Sequence, residues 1–221
     1  MTYHFESAVD LTQELANGMP IYPGDPAPSF ESAATLAKNG VNLTRLVLGS
    51  HTGTHTDAPR HFVEGGLPVD KISISKLIGE ALVIDLSRRP VGSGISESDL
   101  KEELDGKVKQ DDIVLIYTGS SDHWGEEWVN SNYTYLTKEA AEFLVSKKVR
   151  AVGIDFLSIE KFKSPLHAAH KTLLGAGIFI IESLNSSLRQ FAGKRILFID
   201  MPIKLEGKDG APSRCLAVPI S

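Results

Sequence analysis

The segment SHTGTHTDAPRH, residues 50–61, carries the strongest signal in this chain. Four of its side chains can ligate a metal ion, and all four occupy odd-numbered positions: His51, His55, Asp57 and His61. In an extended strand, alternate side chains project to the same face. We therefore expect His51, His55 and Asp57 to converge on one face of a strand. A helix would also align the two histidines, but one glycine, three threonines and one proline within eleven residues disfavour a helix.

This group of side chains predicts a metal site. A single histidine is more often a hydrogen-bonded structural residue than a ligand. Three of the chain's seven histidines within eleven residues, with an aspartate of the same parity, favour ligation instead. Two imidazoles and a carboxylate suit a borderline divalent cation such as Zn²⁺ or Mn²⁺, and three protein ligands leave one position open for water.

A second group of polar residues lies in LHAAHKTLLGAGIFIIE, residues 166–182. His170 falls on a predicted helix over residues 166–174, and Glu182 ends the apolar strand that follows. A carboxylate at the end of a buried strand is costly unless a positive group pairs with it, and a metal ion would supply that charge. By spacing alone, His170 also fits an ordinary helix position and Glu182 an acid at the edge of a loop.

The remaining pattern predicts a mixed α/β fold in one domain over residues 1–221. Short apolar runs without strict alternation are typical of buried strands, and they cover residues 81–86, 112–117, 151–156, 178–181 and 196–199. Helical patterns with Ser or Thr caps cover residues 96–104 and 137–148. A further strand is predicted over residues 42–48. No repeat or long low-complexity linker divides the chain.

Composition limits the classes of partner. The chain of 221 residues is 42% hydrophobic and carries a net charge of -5, which argues against nucleic acid as the main partner. The lone cysteine, Cys215, cannot form an internal disulfide or a thiolate metal cage, and it is expected to be a small buried residue. No apolar run has the length of a membrane span, and residues 1–10 lack the features of a signal peptide. We expect a soluble cytoplasmic protein with no membrane or nucleic-acid partner.

The order His-x-Gly-Thr-His-x-Asp-x-Pro-x-His, with His170 and Glu182 far downstream, resembles the metal-dependent cyclase family. This family includes bacterial kynurenine formamidases and isatin hydrolases. The resemblance spans nearly the whole chain. Supporting segments are DLT at residues 10–12, PGD at 23–25, YTG at 117–119 and PIKLEGKDGAP at 202–212.

The resemblance implies a fold and a set of site residues. His51, His55 and Asp57 would hold one ion, Asp57 would bridge to a second ion held by His170 and Glu182, and His61 would transfer protons. The cofactor would be Zn or Mn, with one or two ions per subunit. The fold would be a swivelling β/β/α domain, with a mixed central sheet or barrel flanked by helices, that assembles as a homodimer or homotetramer.

The implied activity is hydrolysis of a small-molecule amide, formamide or lactam by metal-activated water. The first candidate is a kynurenine formamidase (arylformamidase) activity of tryptophan catabolism. The alternatives are an isatin hydrolase or another cyclic amidase and, from a different class, a non-catalytic metal- or ligand-binding protein. The chain has no GxSxG, GxGxxG or P-loop motif, which argues against a serine hydrolase and against a nucleotide-binding protein.

The substrate contacts are less specific in the sequence. Tyr22, Phe62 and His123 are candidate substrate-binding residues, although aromatic side chains are commonly core residues and loop residues commonly serve packing. Formamidases of the family commonly carry Asp-Thr-Pro-Ser-Val-Asp after the central strand, where this chain has DFLSIE at residues 155–160. We expect this departure to border the substrate pocket.

Overall fold

The computed structural model of the protein describes residues 2–221. Over these residues it contains twelve strands and five α-helices, joined by loops and short 3-10 turns. The strands are β1 (Val9–Asp10), β2 (Ser29–Ala34), β3 (Leu43–Val47), β4 (His55–Asp57), β5 (Ile78–Asp85), β6 (Gly94–Ile95), β7 (Ile113–Tyr117), β8 (Tyr135–Leu136), β9 (Ala151–Ile154), β10 (Phe179–Glu182), β11 (Arg195–Pro202) and β12 (Gly210–Pro219). The helices are α1 (Leu36–Asn39), α2 (Ile74–Leu77), α3 (Glu97–Leu104), α4 (Lys138–Ser146) and α5 (Ala168–Gly175).

A closed, seven-stranded mixed barrel forms the centre of the fold. Its strands follow the order β12-β11-β5-β7-β9-β10-β4, and β4 pairs back with β12 to close the ring. Four neighbouring strands, β5, β7, β9 and β10, are parallel to one another. The pairings that involve β4, β11 and β12 are antiparallel. β1 adds to the outer edge of β12. The predicted α/β class, with a mixed barrel flanked by helices, is confirmed.

The parallel strands are buried on both faces, which explains their continuous apolar sequences. In β7, Val114 and Ile116 pack with residues of α3, α4 and α5 in one apolar cluster. Their neighbours Ile113 and Leu115 belong to a second cluster, which includes Phe198 and other buried residues of the antiparallel strands. The outer face of the parallel strands therefore packs against the helices, and their inner face fills the interior of the barrel.

The predicted helices occur with small shifts at their ends. Ser96 and Asp99 form a reciprocal capping box at the start of α3, and the Thr137 side chain accepts from the backbone at the start of α4. The predicted start of the third helix at residue 166 is wrong. α5 begins at Ala168, because His167 before it adopts a left-handed conformation with φ of 47°, which is not helical.

β12 and β2 are among the elements that were not expected from the sequence. β12 contains Pro212 and Pro219, and proline disfavours interior strand positions. β2 pairs with β3 in a separate two-stranded sheet, so the predicted strand over residues 42–48 is present but belongs to a hairpin outside the barrel. Within residues 2–221, no helix has the length and apolar character needed to cross a bilayer.

Candidate functional site

Strand β4 lies at the seam of the barrel, between β10 and β12. His55 is the register partner of Glu182 across β10, and Asp57 is the register partner of Gly210 across β12. All three residues of β4 are buried. The closure of the barrel therefore brings an acid from a distant segment beside the histidine motif.

His51 reaches the same place from a turn. The expectation of one extended strand through residues 51–57 was wrong, because only His55–Asp57 is a strand. Gly53 adopts a φ of +65°, and a Cβ at this position would lie 2.5 Å from Leu15 Cδ2. The turn at Gly53 returns His51 to Asp57, with His51 Nδ1 at 2.8 Å from Asp57 Oδ1.

His170 and Glu182 complete the group. His170 Nε2 lies 3.1 Å from Glu182 Oε1 and 3.5 Å from Asp57 Oδ2. His55 Nε2 lies 3.5 Å from Glu182 Oε2. The two predicted clusters therefore meet around Asp57, which is fully buried.

The donor atoms of this group suit a cation. His55 Nδ1 lies 2.8 Å from the Gly53 carbonyl oxygen, which leaves Nε2 directed at the carboxylates. His55 Nε2 and Asp57 Oδ2 are buried and have no hydrogen-bond partner among residues 2–221. Two donor sets that share Asp57 have ligand atoms within 4.8 Å of one another: His51 with Asp57 and His61, and His55 with Asp57 and Glu182. These residues fit one or two divalent ions.

The protonation equilibria are strongly shifted. Burial disfavours protonated His51 and His55, but nearby carboxylates outweigh this cost: Asp57 and Asp209 for His51, and Asp57 and Glu182 for His55. The pKa of His51 rises to about 9 and that of His55 to about 10. Burial alone would raise the pKa of Asp57, yet the charge of His51 and the contact with His170 hold it well below its usual range.

His61 differs from the other site histidines. Its ring stacks on His51 with centroids 4.0 Å apart. Burial, reinforced by the neighbouring positive charges of His51 and His170, lowers the pKa of His61 to about 4 in spite of Asp57 and Glu182. His61 is therefore neutral at pH 7, unlike His51 and His55.

A pocket of about 170 Å³ opens onto the group. Its wall comprises Tyr22, Asp25, His51, His55, His61, Phe62, Leu157, Ser158, Glu160, His167, His170 and Glu182. The predicted contact residues Tyr22 and Phe62 lie on this wall. His123 does not: its ring packs against Trp128 and its Nδ1 lies 3.0 Å from Glu126 Oε1.

The geometry can be compared with known proteins. The family model described as "Putative cyclase" matches residues 9–161. The chain belongs to the cyclase family. The resemblance carried by the histidine motif is thus confirmed.

Relatives in the cyclase family cover nearly the whole chain. A kynurenine formamidase from Bacillus cereus is 32% identical over 213 residues, which span 96% of this chain and 97% of the relative. A solved structure from Bacillus stearothermophilus, described as a predicted metal-dependent hydrolase, has 33% identity and a TM-score of 0.81 over 96% of this chain and 98% of that one. Isatin hydrolase A from Ralstonia solanacearum has 26% identity and a TM-score of 0.86 over 96% and 92% of the two chains.

Sequence reasoning missed several residues of this cyclase-family site. Asp209 Oδ2 lies 2.6 Å from His51 Nε2, and Glu160 Oε2 lies 3.5 Å from His170 Nδ1. Asp25 lies on the pocket wall, where burial raises the pKa of its carboxyl group. His167 also lines the pocket and packs against Phe62 with ring centroids 4.9 Å apart.

Some signals for these residues were present in the sequence. Asp25 and Asp209 belong to the PGD and GKDGAP segments that support the resemblance, and Glu160 ends the DFLSIE segment. Leu157, Ser158 and Glu160 of that segment line the pocket; that the segment contacts a substrate stays a prediction. No local pattern, however, indicated that Asp209 contacts His51.

Proposed function

We propose that this cyclase-family protein is a metal-dependent hydrolase of small amides, formamides or lactams, with kynurenine formamidase (arylformamidase) activity as the first candidate. The observation that carries the proposal is the environment of Asp57. Its buried Oδ2 has no hydrogen-bond partner among residues 2–221, while His51, His55 and His170 gather around the carboxylate. Buried charge of this kind is stable when it binds a cation.

The proposed ligands follow the resemblance. His51, His55 and Asp57 would hold one Zn or Mn ion, and Asp57, His170 and Glu182 would hold a second when two are bound. The donor distances also permit His61 to join His51 and Asp57 as a ligand. We assign His61 to proton transfer, the role that the resemblance implies, because its imidazole lies on the pocket wall and stacks on His51.

A bound divalent ion would supply a water molecule activated near neutral pH and would polarise the carbonyl group of the substrate. The side chains of this chain perform the proton transfers. His61 Nδ1 faces Asp209 Oδ2 at 3.7 Å, so Nε2 is the nitrogen that we assign to proton exchange. Neutral His61 accepts the proton from the attacking water and returns it to the leaving nitrogen of the amide.

The pocket wall supports an aromatic substrate. Tyr22, Phe62 and Leu157 provide apolar surface beside the acidic and imidazole groups. An aryl formamide places its ring on such a surface and its carbonyl group at the imidazoles. The names of the Bacillus cereus and Ralstonia solanacearum relatives support activity on a formamide or on isatin. Isatin hydrolysis, or that of another cyclic amide, is therefore the second candidate.

The alternative of another class is a protein that binds a metal or ligand without turnover. A purely structural metal site has closed coordination and needs no neighbouring proton acceptor. Here a pocket reaches the donor group, and neutral His61 lies on its wall. These two features favour the enzyme.

Hydrolysis assays test the proposal. N-formylkynurenine and isatin are offered to the purified protein before and after chelation, and Zn²⁺ or Mn²⁺ is then restored. We expect turnover of at least one substrate, its loss on chelation and its recovery with metal. Absence of chelator-sensitive turnover on these substrates and on a wider amide panel would support the binding protein instead.

The assembly of the protein is also a proposal. We propose a homodimer or homotetramer, supported by the exposed apolar side chains of Leu43, Leu46 and Val47 on the β2–β3 hairpin. Light scattering coupled to size-exclusion chromatography measures the assembly. One domain over residues 1–221, a cytoplasmic location and the lack of nucleic-acid and membrane partners remain predictions.

A further inference from the structure

Asp209 joins the C-terminal part of the chain to the histidine motif. Its Oδ2 lies 2.6 Å from His51 Nε2 and 3.7 Å from His61 Nδ1, and it accepts a hydrogen bond from Ser50 Oγ at 3.1 Å. The carboxylate is half-buried at the edge of the site. It therefore contacts the outer side of His51, away from Asp57.

The backbone holds this carboxylate in register with β4. The Ala58 amide donates to the Asp209 carbonyl oxygen at 2.9 Å, and the next residue, Gly210, pairs with Asp57. A Cβ on Gly210 would lie 2.8 Å from both His51 Cε1 and the Thr56 carbonyl oxygen. Gly210 thus allows the His51 imidazole to pack directly against the backbone beside Asp209.

These contacts place a carboxylate at each ring nitrogen of His51, Asp209 at Nε2 and Asp57 at Nδ1. A neutral imidazole has one N–H and one lone pair. A carboxylate 2.6 Å from Nε2 accepts the N–H from that nitrogen. Nδ1 lies 2.8 Å from Asp57 Oδ1, and this nitrogen carries the lone pair once a cation held by Asp57 takes the place of its proton.

We propose that Asp209 is a positioning residue that fixes His51 as the Nε2–H tautomer, so that His51 binds the metal through Nδ1. This inference rests on the proposed function, because it concerns the same metal site. His55 has the opposite arrangement: Gly53 accepts from Nδ1 and leaves Nε2 for the metal. The two histidines of one motif therefore present different ring nitrogens to the site.

Nuclear magnetic resonance of the Zn²⁺-loaded protein tests the tautomer directly. Histidine labelled with ¹⁵N gives separate signals for protonated and metal-bound ring nitrogens, and the His51→Gln and His55→Gln proteins assign them. We expect His51 with a protonated Nε2 and a metal-bound Nδ1, and His55 with the reverse. A metal-bound Nε2 on His51 would overturn the inference without affecting the proposed function.

Metal affinity provides a second readout that does not depend on turnover. We expect Asp209→Ala and Asp209→Asn to weaken Zn²⁺ binding 10- to 100-fold, the range typical for loss of a group that orients a metal-bound histidine. Asp209→Glu should recover part of the affinity. The matched control is Glu206→Gln, which removes the same charge from an exposed position of the same loop and should bind Zn²⁺ as the wild type does.

The outcomes separate the two proposals. If the wild type binds no Zn²⁺ or Mn²⁺, the proposed function fails and this inference fails with it. If the wild type binds metal and Asp209→Asn binds it within twofold of the Glu206→Gln control, the inference alone fails. If the Asp209 variants do not fold, the tautomer of His51 measured by nuclear magnetic resonance in the wild-type protein still tests the inference.

Discussion

His55 and Glu182 face each other across the antiparallel strands β4 and β10, with His55 Nε2 at 3.5 Å from Glu182 Oε2. The two residues are 127 positions apart in the sequence, and the strand register brings them together. Asp57, two residues after His55, extends the contact to His51 and His170. The proposed metal centre is therefore part of the barrel seam, and changes to the site should affect both binding and chemistry.

Replacement of the proton-transfer residue should separate metal binding from turnover. We expect His61→Ala to retain metal and to lose 10²- to 10⁴-fold in kcat, the usual contribution of a positioned acid–base group. Metal analysis of the purified protein and steady-state kinetics measure the two effects. Loss of metal in this variant would contradict the assignment and make His61 a ligand.

Replacement of the central carboxylate should remove both properties. Asp57→Ala takes away the one side chain common to both candidate donor sets. We expect loss of bound metal and of turnover, because His51, His55 and His170 all contact the Asp57 carboxylate and lose its negative charge. Asp105→Ala is a suitable control, since its carboxylate contacts Lys147 and does not line the pocket. Metal retained by Asp57→Ala at the wild-type level would disprove the central role of Asp57.

Metal binding should depend on pH. The pKa of His51 is raised to about 9 and that of His55 to about 10, so both hold protons at pH 7 in the protein after chelation. A metal ion must displace these protons. Its apparent affinity therefore rises as the pH increases from 7 towards 9, and binding at pH 7 releases about two protons.

Titration calorimetry measures this release when it is carried out in buffers of different ionisation enthalpy. The slope of the observed enthalpy against the buffer enthalpy gives the number of protons. The same slope in a His55→Gln protein should be smaller by about one proton. An affinity that is constant between pH 7 and pH 9 would contradict the raised pKa values.

The turn before β4 should tolerate no side chain. Gly53→Ala requires a left-handed conformation, which costs roughly 1–2 kcal/mol for an L-residue, and its Cβ would also lie 2.5 Å from Leu15 Cδ2. We expect a larger loss of unfolding free energy than for Gly40→Ala, which has a similar positive φ but no atom within 4 Å of the added Cβ. Denaturant unfolding compares the two proteins.

The same pair tests the role of the turn in the site. Gly53→Ala should also weaken metal binding, because it displaces His51, whereas Gly40→Ala should leave it unchanged. Equal stability and equal metal affinity in the two variants would show that the turn does not position His51.

Much of the barrel could be predicted from local sequence. β7 and β9 are buried on both faces, so their apolar runs are continuous and easily recognised. The cap at Ser96 is a local signal and was predicted with the correct residue. β12 was missed because Pro212 interrupts its pattern, although this strand closes the barrel against β4.

The sequence predicted the site residues that lie in the histidine motif and the two, His170 and Glu182, that the family resemblance adds. His51 was expected on a strand, but the positive φ of Gly53 places it on a turn. Asp209 was missed because its contact with His51 depends on barrel closure. Such tertiary contacts leave no periodic pattern in the sequence.

The central claim is that a divalent cation binds at Asp57. A crystal grown without chelator, with anomalous diffraction measured at the zinc and manganese absorption edges, tests it most directly. We predict an anomalous peak about 2.0–2.3 Å from an Asp57 carboxylate oxygen, with His55 and His51 nitrogens among the other ligands. A well-ordered crystal of protein supplied with zinc and manganese that shows no anomalous peak beside Asp57 would contradict the account.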